Sequence, residues 1–179
     1  MSEEDAEVRM RGWVERAVVG LDLCPFARRV VRAEGLRYVT VPTADVATIL
    51  AAVHEELMEL ALPAPGSTVE TTLVLVPGLA GFERFVAVMA RVEALLPRLE
   101  LRGVIQVAHF HPDYRFAGVP ADAPGNATNQ APVPAFHLLR EADVAAAVAA
   151  HPDPEGIPRR NIARLEALDA EARRRLRDG

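Results

Sequence analysis

The residues best suited to chemistry crowd into one stretch, Val107 to Arg140, which reads VAHFHPDYRFAGVPADAPGNATNQAPVPAFHLLR. It carries His109, His111 and His137, three of the five histidines, with Tyr114, Arg115, Asn126, Asn129 and Arg140 among them. A segment this long and this rich in Pro and Gly is uncommon between packed elements unless it builds a site or stays disordered. These polar types bind and catalyse, so it reads as a site. The single cysteine lies far upstream, in Leu23-Cys24-Pro25-Phe26-Ala27.

A thiol and an imidazole make a nucleophile–base pair. Cys24 is the candidate nucleophile, His111 or His137 the base, and Asn129 or Asn126 the group that orients the ring or donates to an oxyanion. Proline suits the first helical position, which places Cys24 at or beside an N-cap, where the helix terminus lowers a thiol pKa. The opposing reading makes Cys24 a small buried hydrophobe.

His109-x-His111 on a strand puts two imidazoles on one face, a metal-ligand spacing that His137 and Cys24 would complete. No paired carboxylates accompany it, so no metal or other cofactor is assigned and the three histidines stand as the alternative ligand set. Arg28, Arg115 and Arg140 offer planar forks for a carboxylate or phosphate, with Tyr114 and Asn126 as further substrate contacts. Cys24-Pro25-Phe26-Ala27 also looks like the start of a glutaredoxin-like helix, with monothiol chemistry only. The Walker lysine loop, GxGxxG and GxSxG do not occur, which argues against nucleotide binding by those routes.

The elements that must position these groups follow from periodicity. Trp13, Ala17 and Leu21, with Val14 and Val18, mark a helix from about residue 8 to 23. Leu36–Val41 and Thr71–Val76 read as strands, and Val104–Ala108 as a third. Helices lie between them, one over Val46–Leu60 capped by Thr43 or Asp45 and one over Phe82–Leu96. Ala135–Arg140 alternates as a fourth strand, a helix capped by Asp143 runs to Ala150, and a last helix opens at Pro158 and reaches Leu176. Strand and helix alternate through the middle of the chain. This predicts an α/β fold, a mixed, mainly parallel sheet of about four strands covered by helices.

In such sheets ligands gather beyond the carboxyl ends of the parallel strands. If the fourth strand runs antiparallel to the third, His137 returns to the edge that holds His109 and His111. The expected layout is one domain over residues 1–179, with residues 1–6 outside the ordered fold and a functional loop over 110–135.

Half of the 179 residues are hydrophobic and a quarter charged, and the net charge is −5. The pI near 5.6 argues against a nucleic-acid binder, since a basic face is lacking. One cysteine permits no internal disulfide and no four-thiolate zinc site. The acidic start MSEEDAEVRM is no signal peptide, and no apolar run reaches the ~20 residues that span a bilayer. The expectation is a cytoplasmic, reduced protein without a membrane or nucleic-acid partner.

The stretches Leu23–Ala27 (LCPFA), Phe110–Gly118 (FHPDYRFAG), Asn126–Pro134 (NATNQAPVP), His137–Glu141 (HLLRE) and Pro158–Leu165 (PRRNIARL) together resemble a family of small bacterial proteins known only as a domain of unknown function. The resemblance spans nearly the whole chain and implies a single-domain bacterial protein, with no activity attached. It singles out Cys24, His111, Tyr114, Asn126, Asn129, His137 and Arg140, and leaves His109 outside the motif. Family members often carry an arginine where this chain has Gln130. If that arginine binds an anion, this chain either lacks the interaction or makes it through Arg115.

The leading expectation is a small enzyme in which Cys24 and a histidine act on a small polar or anionic metabolite by hydrolysis or group transfer. The alternative is a non-catalytic metal- or ligand-binding protein using the histidine-rich loop. A third is an interaction module with that loop as its partner surface.

Overall fold

The structure, a computed structural model, describes residues 1–178. Its first helix, α1 (Glu3–Trp13), starts earlier than the apolar stripe suggests. Ser2 accepts a hydrogen bond from the Asp5 N–H at 3.1 Å, and Glu3, Glu4 and Asp5 load the positive end of the helix dipole. Residues 3–6, expected outside the fold, therefore form its first turn, with Ala6 fully buried. The helix widens into a π-helical segment, Val14–Val19, that keeps Trp13, Val14 and Ala17 inward. After a short loop comes α2 (Ala27–Arg32), six residues long and with none of them buried.

The sheet has four strands, β1 (Leu36–Thr40), β2 (Thr71–Leu75), β3 (Ile105–Phe110) and β4 (Ala135–Arg140), in the order β1-β2-β4-β3. β1 and β2 are parallel, and β4 runs antiparallel to both β2 and β3. This is the mixed α/β sheet that the alternation of elements predicts. Between strands run α3 (Val46–Ala61), α4 (Phe82–Glu93) and the short α5 (Leu95–Arg98). Asp45 caps α3, accepting from Thr48 N–H at 2.8 Å. After β2 the chain turns at Pro77-Gly78, and Gly78 lies so close to Thr43 that an added Cβ would sit 2.2 Å from its carbonyl oxygen.

Beyond β4 come α6 (Glu141–Ala150), α7 (Ile157–Glu166) and α8 (Ala170–Asp178). The sequence reads as one helix from Pro158 to Leu176. The structure splits it, because Asp169 accepts from Ala172 N–H at 2.7 Å and starts a new N-terminus. The third strand also runs two residues further than expected, so His109 lies within it.

Two apolar layers result. On one face Phe136 and Leu138 of β4 pack with Ile49, Leu57, Phe85 and Val92 from α3 and α4. On the other, Leu73, Leu75 and Ala135 meet Met10, Trp13 and Ala17. Phe136 is fully buried and stacks on Phe85 with centroids 5.1 Å apart and planes within 8°. Truncation there removes the centre of the first layer. Phe136→Ala should lower unfolding free energy by about 3–5 kcal/mol in chemical denaturation; a loss near zero would mean that this face is not packed as described.

Candidate functional site

Register decides which histidines meet. His109 stands opposite Phe136, and His137 stands opposite Ala108 and Leu73. Opposed residues share a face and neighbours along a strand do not. His137 therefore faces the α1 side, while His109, beside the ring of Phe136, faces the α3–α4 side. The sheet stands between them. The expected convergence of His109, His111 and His137 at one edge does not occur, and His137 cannot complete a metal site with the other two. Among the described residues, no cluster of three or more His, Cys, Asp or Glu side chains has the geometry to hold a metal ion.

His111 is also spent. It is 0% exposed, enclosed by Phe82 and Phe85. Its Nδ1 accepts from the Asp113 N–H at 3.0 Å, which fixes the proton on Nε2, and Nε2 donates to the Leu79 carbonyl at 3.2 Å. Burial lowers its pKa, so both ring nitrogens are committed in a neutral ring and no base remains. His109 is neutral for the same reason, with its pKa pushed down to about 4. Glu93 Oε1 lies 3.4 Å from His109 Nε2, yet that nitrogen is buried without a hydrogen bond, so the contact is no ion pair.

The loop's other polar residues hold the loop itself. Fully buried Asn126 donates to the carbonyls of Pro120 (2.7 Å) and Ala121 (3.3 Å) and accepts from Phe116 N–H (3.1 Å). Asn129 donates to the His109 carbonyl at 2.9 Å and accepts from Thr128 Oγ1. Neither is free to orient a catalytic imidazole. Arg140 donates to the carbonyls of Leu60, Val69 and Glu70, at 2.9, 3.1 and 3.2 Å, tying the end of α3 to the lead into β2. Arg28 is exposed and donates to Val19 O, and Tyr114 packs edge-on against Phe82 and Phe116. These residue types suggest a substrate cradle; their bonds make a scaffold.

What the fold does place on the wall of one cavity is Cys24 and His137. Both line a cavity of about 320 Å³ between the α1 face of the sheet and the arch of the π-helical segment, α2 and α6. Trp13, Val18, Val31, Leu73, Phe110 and Val144 give it an apolar wall. Its size is typical of small-ligand pockets. The arch stands off the sheet, since neither α2 nor α6 buries a single residue. At the rim Arg29 pairs with Glu70 at 2.5 Å.

His137 holds a defined tautomer. Thr71 Oγ1 sits 2.7 Å from its Nε2 and 2.5 Å from the Leu138 carbonyl. The second contact needs the hydroxyl proton, so Oγ1 accepts from Nε2–H and the lone pair falls on Nδ1. Burial pushes the ring's pKa down to about 4.

Cys24 departs from expectation. The helix after it opens at Ala27, with Phe26 rather than Cys24 at the N-cap. Burial raises the thiol pKa and outweighs the backbone N–H groups of Phe26 and Ala27, which favour the thiolate. The loop before it is clamped from α7. Asn161 donates to Leu23 O and Arg164 to Asp22 O, both at 2.6 Å, and Asp22 holds a left-handed φ of 51°. Thr71, Asn161 and the Arg29–Glu70 rim pair were not singled out from the sequence. Only the motif around Asn161 pointed there.

Two histidines kept neutral by burial link stability to pH. Their folded pKa values, about 4, lie below the ordinary ~6.5, so between those limits the unfolded chain binds more protons. Stability is therefore full above about pH 6.5 and declines as pH falls toward 4. Thermal unfolding across that window should show the decline, and His137→Gln should flatten it. An unchanged slope in the variant would contradict a buried neutral His137.

No helix of the described residues is long and apolar enough to cross a membrane. No curated protein and no solved structure matches the chain. Residues 5–175 match the family described as "Protein of unknown function (DUF1415)", so the chain belongs to that family.

Proposed function

We propose that this protein is a small-molecule enzyme in which Cys24 attacks an electrophilic, carbonyl-like carbon held in the apolar cavity and His137 takes the thiol proton. The observation that carries this reading is that the only cysteine and a histidine with an unprotonated Nδ1 line the same cavity. In the step, a bond forms between Sγ and the carbon, the carbonyl π pair moves to oxygen, and the sulfur's proton passes to Nδ1. Collapse of the adduct breaks the bond to the leaving group, which takes the proton from Nδ1, and leaves a thioester on Cys24. Attack on it by water or an acceptor nucleophile releases the thiol and completes a hydrolysis or group transfer. The first attack requires only the two side chains.

The apolar wall narrows the substrate. The part entering the cavity is mostly hydrocarbon, because the wall is largely apolar and its charged lining residues already pair with one another, Arg29 with Glu70 and Arg140 with Asp143. Any polar or anionic group would stay at the rim near Arg29 and Glu70. Neither Asn129, His111 nor Arg140 takes part, since each is committed to the scaffold.

A second reading rests on the neutrality of the pair. Burial holds the thiol protonated and the imidazole unprotonated, which equally suits a binding protein that performs no turnover. Alkylation of Cys24 by iodoacetamide separates the two, since the signal has one source. If His137 is the base, His137→Gln should slow alkylation at pH 7 by about tenfold or more, with the fold intact by circular dichroism. An unchanged rate would remove His137 from the chemistry and leave the binding reading.

A further inference from the structure

A second concavity lies at the other end of the sheet, past the carboxyl ends of β2 and β3. It is a broad, open basin of about 750 Å³. Three elements distant in sequence send arginines to it: Arg84 from α4, Arg115 from the loop after β3, and Arg177 from α8. The start of α4 opens onto the same space. Its N-cap is Gly81, no side chain caps it, and nothing lies within 4 Å of where a Gly81 side chain would begin. Uncapped N–H groups and the helix dipole favour negative charge there.

The arginines are unequally committed. Arg84 spends one nitrogen on the Ala44 carbonyl at 2.6 Å, and Arg177 donates to Asp178 at 2.7 Å. Arg115 is exposed, lies 5.4 Å above the Phe82 ring, and among the described residues makes no hydrogen bond or ion pair. Glu83 and Asp113 also line the basin, and Asp178 pairs with Arg177, so the basin's positive charge comes from Arg84 and Arg115. Asp178 holds Arg177 by that hydrogen bond and by its charge, with Asp113 adding a weaker attraction, which leaves Arg115 and the open side of Arg84 for a ligand. Gln130 lies on the wall, with its amide nitrogen donating to the Tyr114 carbonyl at 3.2 Å.

We propose that this basin, where Arg84, Arg115 and Arg177 converge beside the open start of α4, binds a small oxyanion, a phosphate or carboxylate group of a soluble metabolite. Guanidinium forks pair with both groups in bidentate fashion. The site is separate from the cavity of Cys24 and His137, shares no lining residue with it, and stands whether or not that cavity is catalytic.

Calorimetric titration of the intact protein at low ionic strength tests it, with pyrophosphate in one arm and tricarballylate in the other. Saturable binding of at least one probe is expected, and the tighter arm assigns the group. Arg115→Ala should weaken it by about tenfold, since Arg115 contributes a charge-assisted contact and no bond to the fold. Gln130→Arg should tighten it by adding a cation to the wall, and alkylation of Cys24 should leave it unchanged. The absence of saturable binding by either probe, or affinities that neither substitution moves, would overturn the proposal.

Discussion

Strand β4 lies between β2 and β3, and its two-residue alternation decides what each side of the molecule can do. Phe136 and Leu138 enter the layer of α3 and α4, while Ala135, His137 and Leu139 turn to the opposite face. A slip of one residue would exchange the two sets and bury an imidazole in the aromatic core. The stacking of Phe136 on Phe85 opposes that slip. One packing contact thus fixes both the core and the orientation of the histidine that lines a cavity with the cysteine.

Around that strand the protein spends charged and amide side chains on its own backbone. Asn126, Asn129 and Arg140 together bond six carbonyl groups and one backbone N–H. The long loop, β3 and the link from α3 to β2 would otherwise leave these groups without partners. The α1 face is organised differently. There the π-helical segment, α2 and α6 arch over the sheet without filling the space below; the charged residues on its lining are paired, Arg29 with Glu70 and Arg140 with Asp143, and Cys24 and His137 are neutral. Low polarity and a defined imidazole tautomer are what that cavity offers a ligand.

Much of the fold is legible in the sequence because it follows periodicity. The spacing of Trp13, Ala17 and Leu21 marks a helix, the nearly all-apolar run Thr71–Val76 a central strand, and Ala135–Arg140 the strand that returns beside β3. The chemistry was less legible for three physical reasons. The face that His137 occupies depends on pairing with two other strands, which no local pattern encodes. Asn126 and Asn129 have the same residue type whether they bind substrate or a loop's own carbonyls. Cys24 precedes Pro25, a helix-start signal, yet α2 opens only at Ala27 and burial sets the thiol's character instead.

Joint action of the thiol and the imidazole requires the cavity under α2 and α6 to be an open, apolar binding space in solution. Titration of isotopically labelled protein with benzene, followed by nuclear magnetic resonance, tests this most directly. The predicted result is saturable shifts confined to residues around Cys24, Val31, Leu73 and His137, abolished once Cys24 carries a bulky alkyl group. Shifts scattered over the surface, or none, would mean that the arch collapses onto the sheet and that thiol and imidazole share no ligand.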